Sequence, residues 1–232
     1  MSKKAIVTGG SSGIGKAIAK VLSDNGFEVY AIGRQFDLLD SEPIHKVELD
    51  VLDTNKLIDT VNEINKSHDI NLLVNCAGVG FYGLHEELNA KKIQLMVRTN
   101  LEVPMILTNN LLRDLKQNKG LIINIASVTA QEVNPHGAAY GATKAGLLSF
   151  SNSIFEEARK YGVKVTTILP DMTDTKLYRN ADFTVDDDVL SYLNPEDVAN
   201  VVNFVINAPF NQVINQITLK PQLKRIKRKP KI

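Results

Sequence analysis

The stretch Lys4-Ala5-Ile6-Val7-Thr8-Gly9-Gly10-Ser11-Ser12-Gly13-Ile14-Gly15 passes from an apolar run through a glycine-rich turn straight into a helical pattern, on one face of which Ile14, Ile18, Val21 and Leu22 recur. A strand that feeds a helix through glycines presents backbone N–H groups at the positive end of the helix dipole, with no Cβ in the way of an approaching diphosphate. Glycine clusters also make plain turns. In the first strand–helix–strand unit of a parallel sheet, the phosphate-binding reading outweighs the plain turn.

The chain supplies that setting. Apolar runs at 4–7, 28–32, 46–49, 71–74, 121–125, 164–169 and 213–219 read as seven buried parallel strands, because strands covered on both faces are continuously apolar rather than alternating. Between them Leu57, Val61 and Ile64 repeat at helical spacing, as do Leu107, Leu111 and Leu115, and then Leu147, Ser151, Ile154 and Ala158. Asn194-Pro195-Glu196-Asp197 offers an N-cap, a first-turn proline and first-turn acids, so a last helix starts there. Strands alternating with helices are the sequence form of an α/β, doubly wound sheet.

At 232 residues the chain suits a single domain. One cysteine, Cys76, rules out an internal disulfide and fits a reducing compartment. The apolar run after Lys4 is too short for a signal peptide, and no stretch approaches the length of a membrane span, so a cytoplasmic protein is expected with no membrane partner. The net charge of +1 divides into +7 on residues 220–232 and −6 on the rest. The domain is therefore expected to occupy 1–219, followed by a basic C-terminal tail. Without interleaved aromatics the tail reads as a solvated end rather than a nucleic-acid site.

A second stretch, 126–144, follows the fifth strand. Ser127 falls at the strand end, and Tyr140 and Lys144 are four apart, one helical turn on the same face. A phenol titrates near ~10 in water, and a neighbouring ammonium favours its ionised form, so the pair could transfer protons. Taken alone, the same spacing more often marks a helix start with a surface Tyr and Lys.

Thr8-Gly9 with Gly13 and Gly15, Asn75-Cys76-Ala77-Gly78 after the fourth strand, Asn100, Ser127, and Tyr140 with Lys144 occur in order and at compatible spacing. Together they resemble the short-chain dehydrogenase/reductase family in its classical form. The resemblance covers nearly the whole chain and implies a Rossmann-like doubly wound seven-stranded parallel sheet, flanked by helices on both faces.

It further implies an oxidoreductase that moves a hydride between a nicotinamide cofactor and a small carbonyl or alcohol substrate. Gly9, Ser11, Ser12, Gly13, Ile14 and Gly15 would hold the pyrophosphate. Arg34, where an acid would select NAD, favours NADP through its fork of donors to a 2′-phosphate, although Asp37 and Asp40 stand nearby. Asp50 and Val51 would meet the adenine, while Asn75, Ala77, Gly78, Pro170 and Thr175 would complete the cofactor contacts. Tyr140 would be the general acid/base, with Lys144 lowering its pKa and holding the nicotinamide ribose. Ser127 would polarise the substrate oxygen, and Asn100 would hold a water that links Lys144 to solvent. No metal is implied. Family members commonly pair through the helices at 93–117 and 140–160, which implies a homodimer or homotetramer.

Several features depart from the family pattern. Cys76 replaces a second asparagine, Asp171 replaces the glycine after Pro170, and only 34–46 is left for the second crossover. Phe81, Tyr82, Val128, Met172, Leu177, Tyr178 and Tyr192 are candidates for an apolar substrate pocket; His136 reads as a solvated loop residue, and Asp182, Asp186, Asp187 and Asp188 as a solvated lid. The alternative class is a non-catalytic NADP-binding sensor or scaffold of the same fold.

Overall fold

The computed structural model describes residues 3–36 and 44–229; Asp37, Asp40, Lys231 and most of the short second crossover lie outside the described residues. Seven parallel strands form one sheet: β1 (Lys3–Thr8), β2 (Phe27–Gly33), β3 (His45–Glu48), β4 (Ile70–Asn75), β5 (Leu121–Ile125), β6 (Lys164–Pro170) and β8 (Gln216–Leu219). Their order is β3-β2-β1-β4-β5-β6-β8. The chain thus winds outward from β1 in one direction and from β4 in the other, which opens a crevice beyond the carboxyl ends of β1 and β4. The final strand is shorter than the 213–219 run, because Ile214 and Asn215 give their carbonyls to Thr166 and Thr167 before strand geometry begins.

Strand side chains alternate, so one apolar run builds two cores. Ala5, Val7, Leu72, Val74 and Ile123 face α1 (Gly13–Asp24) and α6 (Pro195–Ile206), meeting Ile18, Leu22, Val198 and Val202. Ile6, Leu73 and Ile122 face the other way, onto α2 (Thr54–Ile64) and α4 (Val103–Asn118). There Leu107, Leu111 and Leu115 are wholly buried, each worth about 1.5–3 kcal/mol of apolar transfer. The cap of α6 forms as its sequence requires: the backbone N–H of Asn194 donates to Asp197 at 2.7 Å.

Two helices carry the site. Between α3 (Ala90–Val97) and α4, a π-turn at Arg98–Glu102 interrupts the helix just before Pro104, whose ring cannot fit an interior turn. Its neighbour α5 (Ala138–Ala158) crosses the end of β5. A two-stranded antiparallel ladder joins β7 (Phe183–Thr184) to β9 (Lys227–Arg228). The basic segment is therefore not a free solvated end within the described residues, and Asp182, Asp187 and Asp188 of the loop expected to be solvated pair with it.

Candidate active site

The site starts at the glycine turn. A Cβ on Gly15 would stand 2.3 Å from the carbonyl oxygen of Gly9, so only glycine lets α1 begin directly against the turn. Gly13 has φ +51, and a Cβ there would reach to 3.2 Å from Thr175 Cγ2, narrowing the cleft between the turn and the segment after β6. Thr8 fastens the opposite wall: its Oγ1 accepts from the backbone N–H groups of Cys76 and Ala77 at 3.1 and 3.2 Å.

From this turn one cleft runs across the carboxyl end of the sheet. Gly9, Ser11, Ser12, Gly13, Ile14 and Gly15 line its centre, and Arg34, Asp50 and Val51 line one end. Ala77, Gly78, Ser127, Tyr140, Lys144, Pro170 and Thr175 line the other. Asp50 turns Oδ1 onto its own turn, where it accepts from Leu52 N at 3.0 Å.

Two of the expected residues do not line this cleft. Asn75 lies in the sheet, donating through Nδ2 to Asn124 Oδ1 at 2.8 Å, and Asn124 in turn donates to Ser151 at 2.8 Å. Its sheet-tying role is present. Asn100 is also enclosed. Its Oδ1 accepts from Val79 N at 2.9 Å, while Nδ2 donates to Val79 O at 2.9 Å and Thr143 Oγ1 at 3.1 Å. The π-turn thus points Asn100 inward, where it clamps the loop segment that follows Gly78. A Cβ added to Gly78 would lie 3.6 Å from Asn100 Oδ1 and 3.8 Å from Lys144 Nζ, so the two polar groups border one gap.

Ser127, Tyr140 and Lys144 converge and are all buried. The Ser127 hydroxyl, which accepts from Thr129 N at 3.2 Å, lies close enough to the Tyr140 phenol to stabilise its ionised form. Lys144 Nζ donates to the carbonyl of Ile125 at 2.8 Å and lies 5.8 Å from the Tyr140 ring centroid. Burial pushes the Tyr140 hydroxyl upward, with Tyr178 adding to the rise and Ser127 opposing it. Burial likewise pushes the Lys144 ammonium down to about 8. Enclosure is thus the largest influence on both groups, and the ammonium is engaged with Ile125. Beside them, burial pushes the Cys76 thiol up to about 12.

Thr143 was not singled out in the sequence. Its hydroxyl donates to the Tyr140 carbonyl at 2.7 Å while accepting from Asn100, so it joins the π-turn to the helix that carries the tyrosine. Only its place one residue before Lys144 could have drawn attention to it.

Beyond Tyr140, Phe81, Leu177 and Tyr178 line the cleft, whereas Val128, Met172 and Tyr192 are not among its lining residues. Tyr82 stacks behind, 5.5 Å from the Tyr140 ring and 5.1 Å from Phe183, another residue the sequence did not mark. Burial raises the Tyr82 phenol well above its ordinary value and the Tyr178 phenol to about 12, so both are neutral hydroxyls. Asp171 faces the cleft, although its Oδ1 is occupied by Met172 N at 2.8 Å. His136 is exposed, and its carbonyl rather than its ring is used, accepting from Gly83 N at 2.7 Å.

Comparison with known proteins agrees with this geometry. The short chain dehydrogenase family model matches residues 3–185. An uncharacterised oxidoreductase of Staphylococcus haemolyticus is 33% identical over 228 residues, covering 94% of this chain and 96% of that protein. An alcohol dehydrogenase from the archaeon Thermococcus sibiricus, solved with 5-hydroxy-NADP, superposes with a TM-score of 0.86 over 100% of both chains, at 22% identity. A metagenomic short-chain oxidoreductase solved with NADP gives a TM-score of 0.80 at 26% identity, over 96% of this chain and 99% of that one.

Proposed function

The chain belongs to the classical short-chain dehydrogenase/reductase family and is an oxidoreductase of it, and from that premise we propose that it reduces a small, uncharged ketone or aldehyde with NADPH, or runs the reverse oxidation. One observation carries this reading. Tyr140, with Ser127 beside it and Lys144 one turn away, lines one end of a cleft that also holds the glycine turn and Arg34.

The residues present fit such a cofactor. Gly13 leaves open the space a Cβ would close against Thr175, and the turn offers backbone donors to a diphosphate. After β2 ends at Gly33, Arg34 stands at the cleft edge, where its guanidinium suits a 2′-phosphate. NADP bound to a similar protein of 26% identity supports the same preference. When bound, the reduced nicotinamide supplies a hydride. Ser127 then holds the substrate oxygen by a hydrogen bond, and Tyr140 gives its proton to the alkoxide that forms there. Burial keeps that phenol protonated until it is needed. Lys144, released from Ile125, would hold the nicotinamide ribose and return Tyr140 toward a titratable range. Asn100 and Thr143 fix the spacing of the two helices that carry these groups. Pairing of two chains through α4 and α5 forms part of the same proposal.

A panel of ketones and aldehydes tests it. Oxidation of NADPH, followed by its absorbance, is expected with at least one uncharged carbonyl compound and more weakly with NADH. Absence of turnover across the panel, or preference for NADH, would overturn the corresponding part of the assignment.

A further inference from the structure

The basic C-terminal segment and the acidic loop after β6 are matched along their length. Lys227 pairs with Asp187 at 2.7 Å, Arg228 with Asp182, and Arg225 with Asp188 at 3.5 Å. Lys220 and Lys224 both reach Glu132 at the near end. Backbone bonds follow the same path. Leu223 N donates to Leu190 O and Lys229 N to Asp182 O, each at 2.8 Å, and the β7–β9 ladder sets Phe183 opposite Arg228.

The loop held in this way carries the aromatic wall of the site. Lys229 Nζ donates to the carbonyl of Tyr178 at 2.6 Å. The Tyr178 and Phe183 rings are 5.4 Å apart, and both pack on Tyr82, at 6.1 and 5.1 Å. Tyr82 meets Tyr140. A continuous path of contacts thus leads from the tail to the ring that carries the reacting hydroxyl. Without the tail, β7 is a two-residue strand with no partner among the described strands, too short to hold its own geometry.

We propose that residues 223–229 are a positioning element of the substrate site, strapping the 178–188 loop so that Tyr178 and Phe183 stand over Tyr140. The proposal rests on Tyr140 being the reacting end. Among the described residues no hydrogen bond or ion pair joins 223–229 to the glycine turn or Arg34, so the strap acts on carbonyl binding and leaves the cofactor alone. Exposed ion pairs are individually weak and screened by salt, so their joint effect fades as ionic strength rises.

The test compares the full chain with one ending at Gln222. Amide hydrogen exchange over 178–184 is expected to quicken at least tenfold in the shortened chain, with α1 and β1 unchanged; equal protection overturns the proposal. For the carbonyl compound best reduced among cyclohexanone, acetophenone, benzaldehyde and ethyl acetoacetate, KM is expected to rise at least fivefold while the NADPH dissociation constant stays within twofold. An unchanged KM, or an equal loss of NADPH binding, overturns it. A variant carrying Arg225→Asp, Lys227→Asp and Arg228→Asp is expected to reproduce these effects, and adding Asp188→Arg, Asp187→Lys and Asp182→Arg is expected to reverse them. Failure of that reversal counts against the strap even if the shortened chain does not fold. If the full chain reduces none of the four compounds, it is the proposed function that fails with this panel, and hydrogen exchange, which needs no turnover, still decides the strap.

Discussion

Tyr82 and Tyr140 stand ring to ring, their centroids 5.5 Å apart and their planes tilted by 47°. Two phenols therefore occupy one enclosed corner, yet only Tyr140 lines the cleft with Ser127 and Lys144. Removing the oxygen from each separates their roles. Tyr140→Phe is expected to lower kcat by about 10³-fold, the scale of a lost general acid, with NADPH binding retained. Tyr82→Phe keeps the packing surface and is expected to leave kcat nearly unchanged. Steady-state kinetics on the two variants checks this, and similar losses in both would contradict it.

Arg34 sets the cofactor preference. Arg34→Ala is expected to weaken NADPH binding about 10- to 100-fold, the worth of charge-assisted hydrogen bonds to a phosphate, and to leave NADH binding unaltered. Fluorescence titration with both reduced cofactors measures the difference; parallel losses would place Arg34 outside phosphate recognition.

The turn tolerates no Cβ at Gly15. Because the obstacle at 2.3 Å is the backbone oxygen of Gly9 rather than a flexible side chain, Gly15→Ala must push the turn apart. A loss of about 1–3 kcal/mol is expected from such overpacking, seen as a Tm lower by several degrees, together with weaker NADPH binding. A variant as stable as the parent would show that the turn yields freely.

Lys144 makes stability depend on pH. Its folded pKa of about 8 lies below the ordinary lysine value, so at pH 8–10 the unfolded chain binds more protons than the folded one. Stability contributed by this site is lowest below pH 8 and rises with pH through that window. Above pH 10 the raised phenol of Tyr140 works in the opposite sense, because the unfolded tyrosine ionises first. In the absence of cofactor, the stability advantage of Lys144→Met over the parent is expected to be greatest near pH 7 and to shrink toward pH 10. Denaturant titrations across that range check the trend, and an advantage that does not vary with pH would refute it.

The sheet was legible because its central strands are apolar on both faces, so runs such as Leu72-Leu73-Val74 announce themselves without alternation. Tyr140 and Lys144 were legible because helical spacing is fixed. Asn100 was legible by position but not by contact, since nothing periodic says that a π-turn will aim its amide at Val79 and Thr143. The tail was misjudged for a similar reason. Its partners lie about forty residues earlier, in irregular loop, and ion pairing leaves no repeat; the one trace is that a run of acids and a later run of bases carry opposite sign. Phe183 enters the aromatic wall only through that same long-range match.

Cys76 is the only thiol in the chain, and its pKa near 12 leaves it more than about a thousandfold poorer in thiolate than a free cysteine at neutral pH. Held in its thiol form at the wall of the cleft, it is expected to alkylate more slowly in the folded protein than in the unfolded chain. The native sequence therefore contains its own chemical clock for unfolding. A cysteine placed elsewhere on the surface would carry a dye faster than Cys76 does.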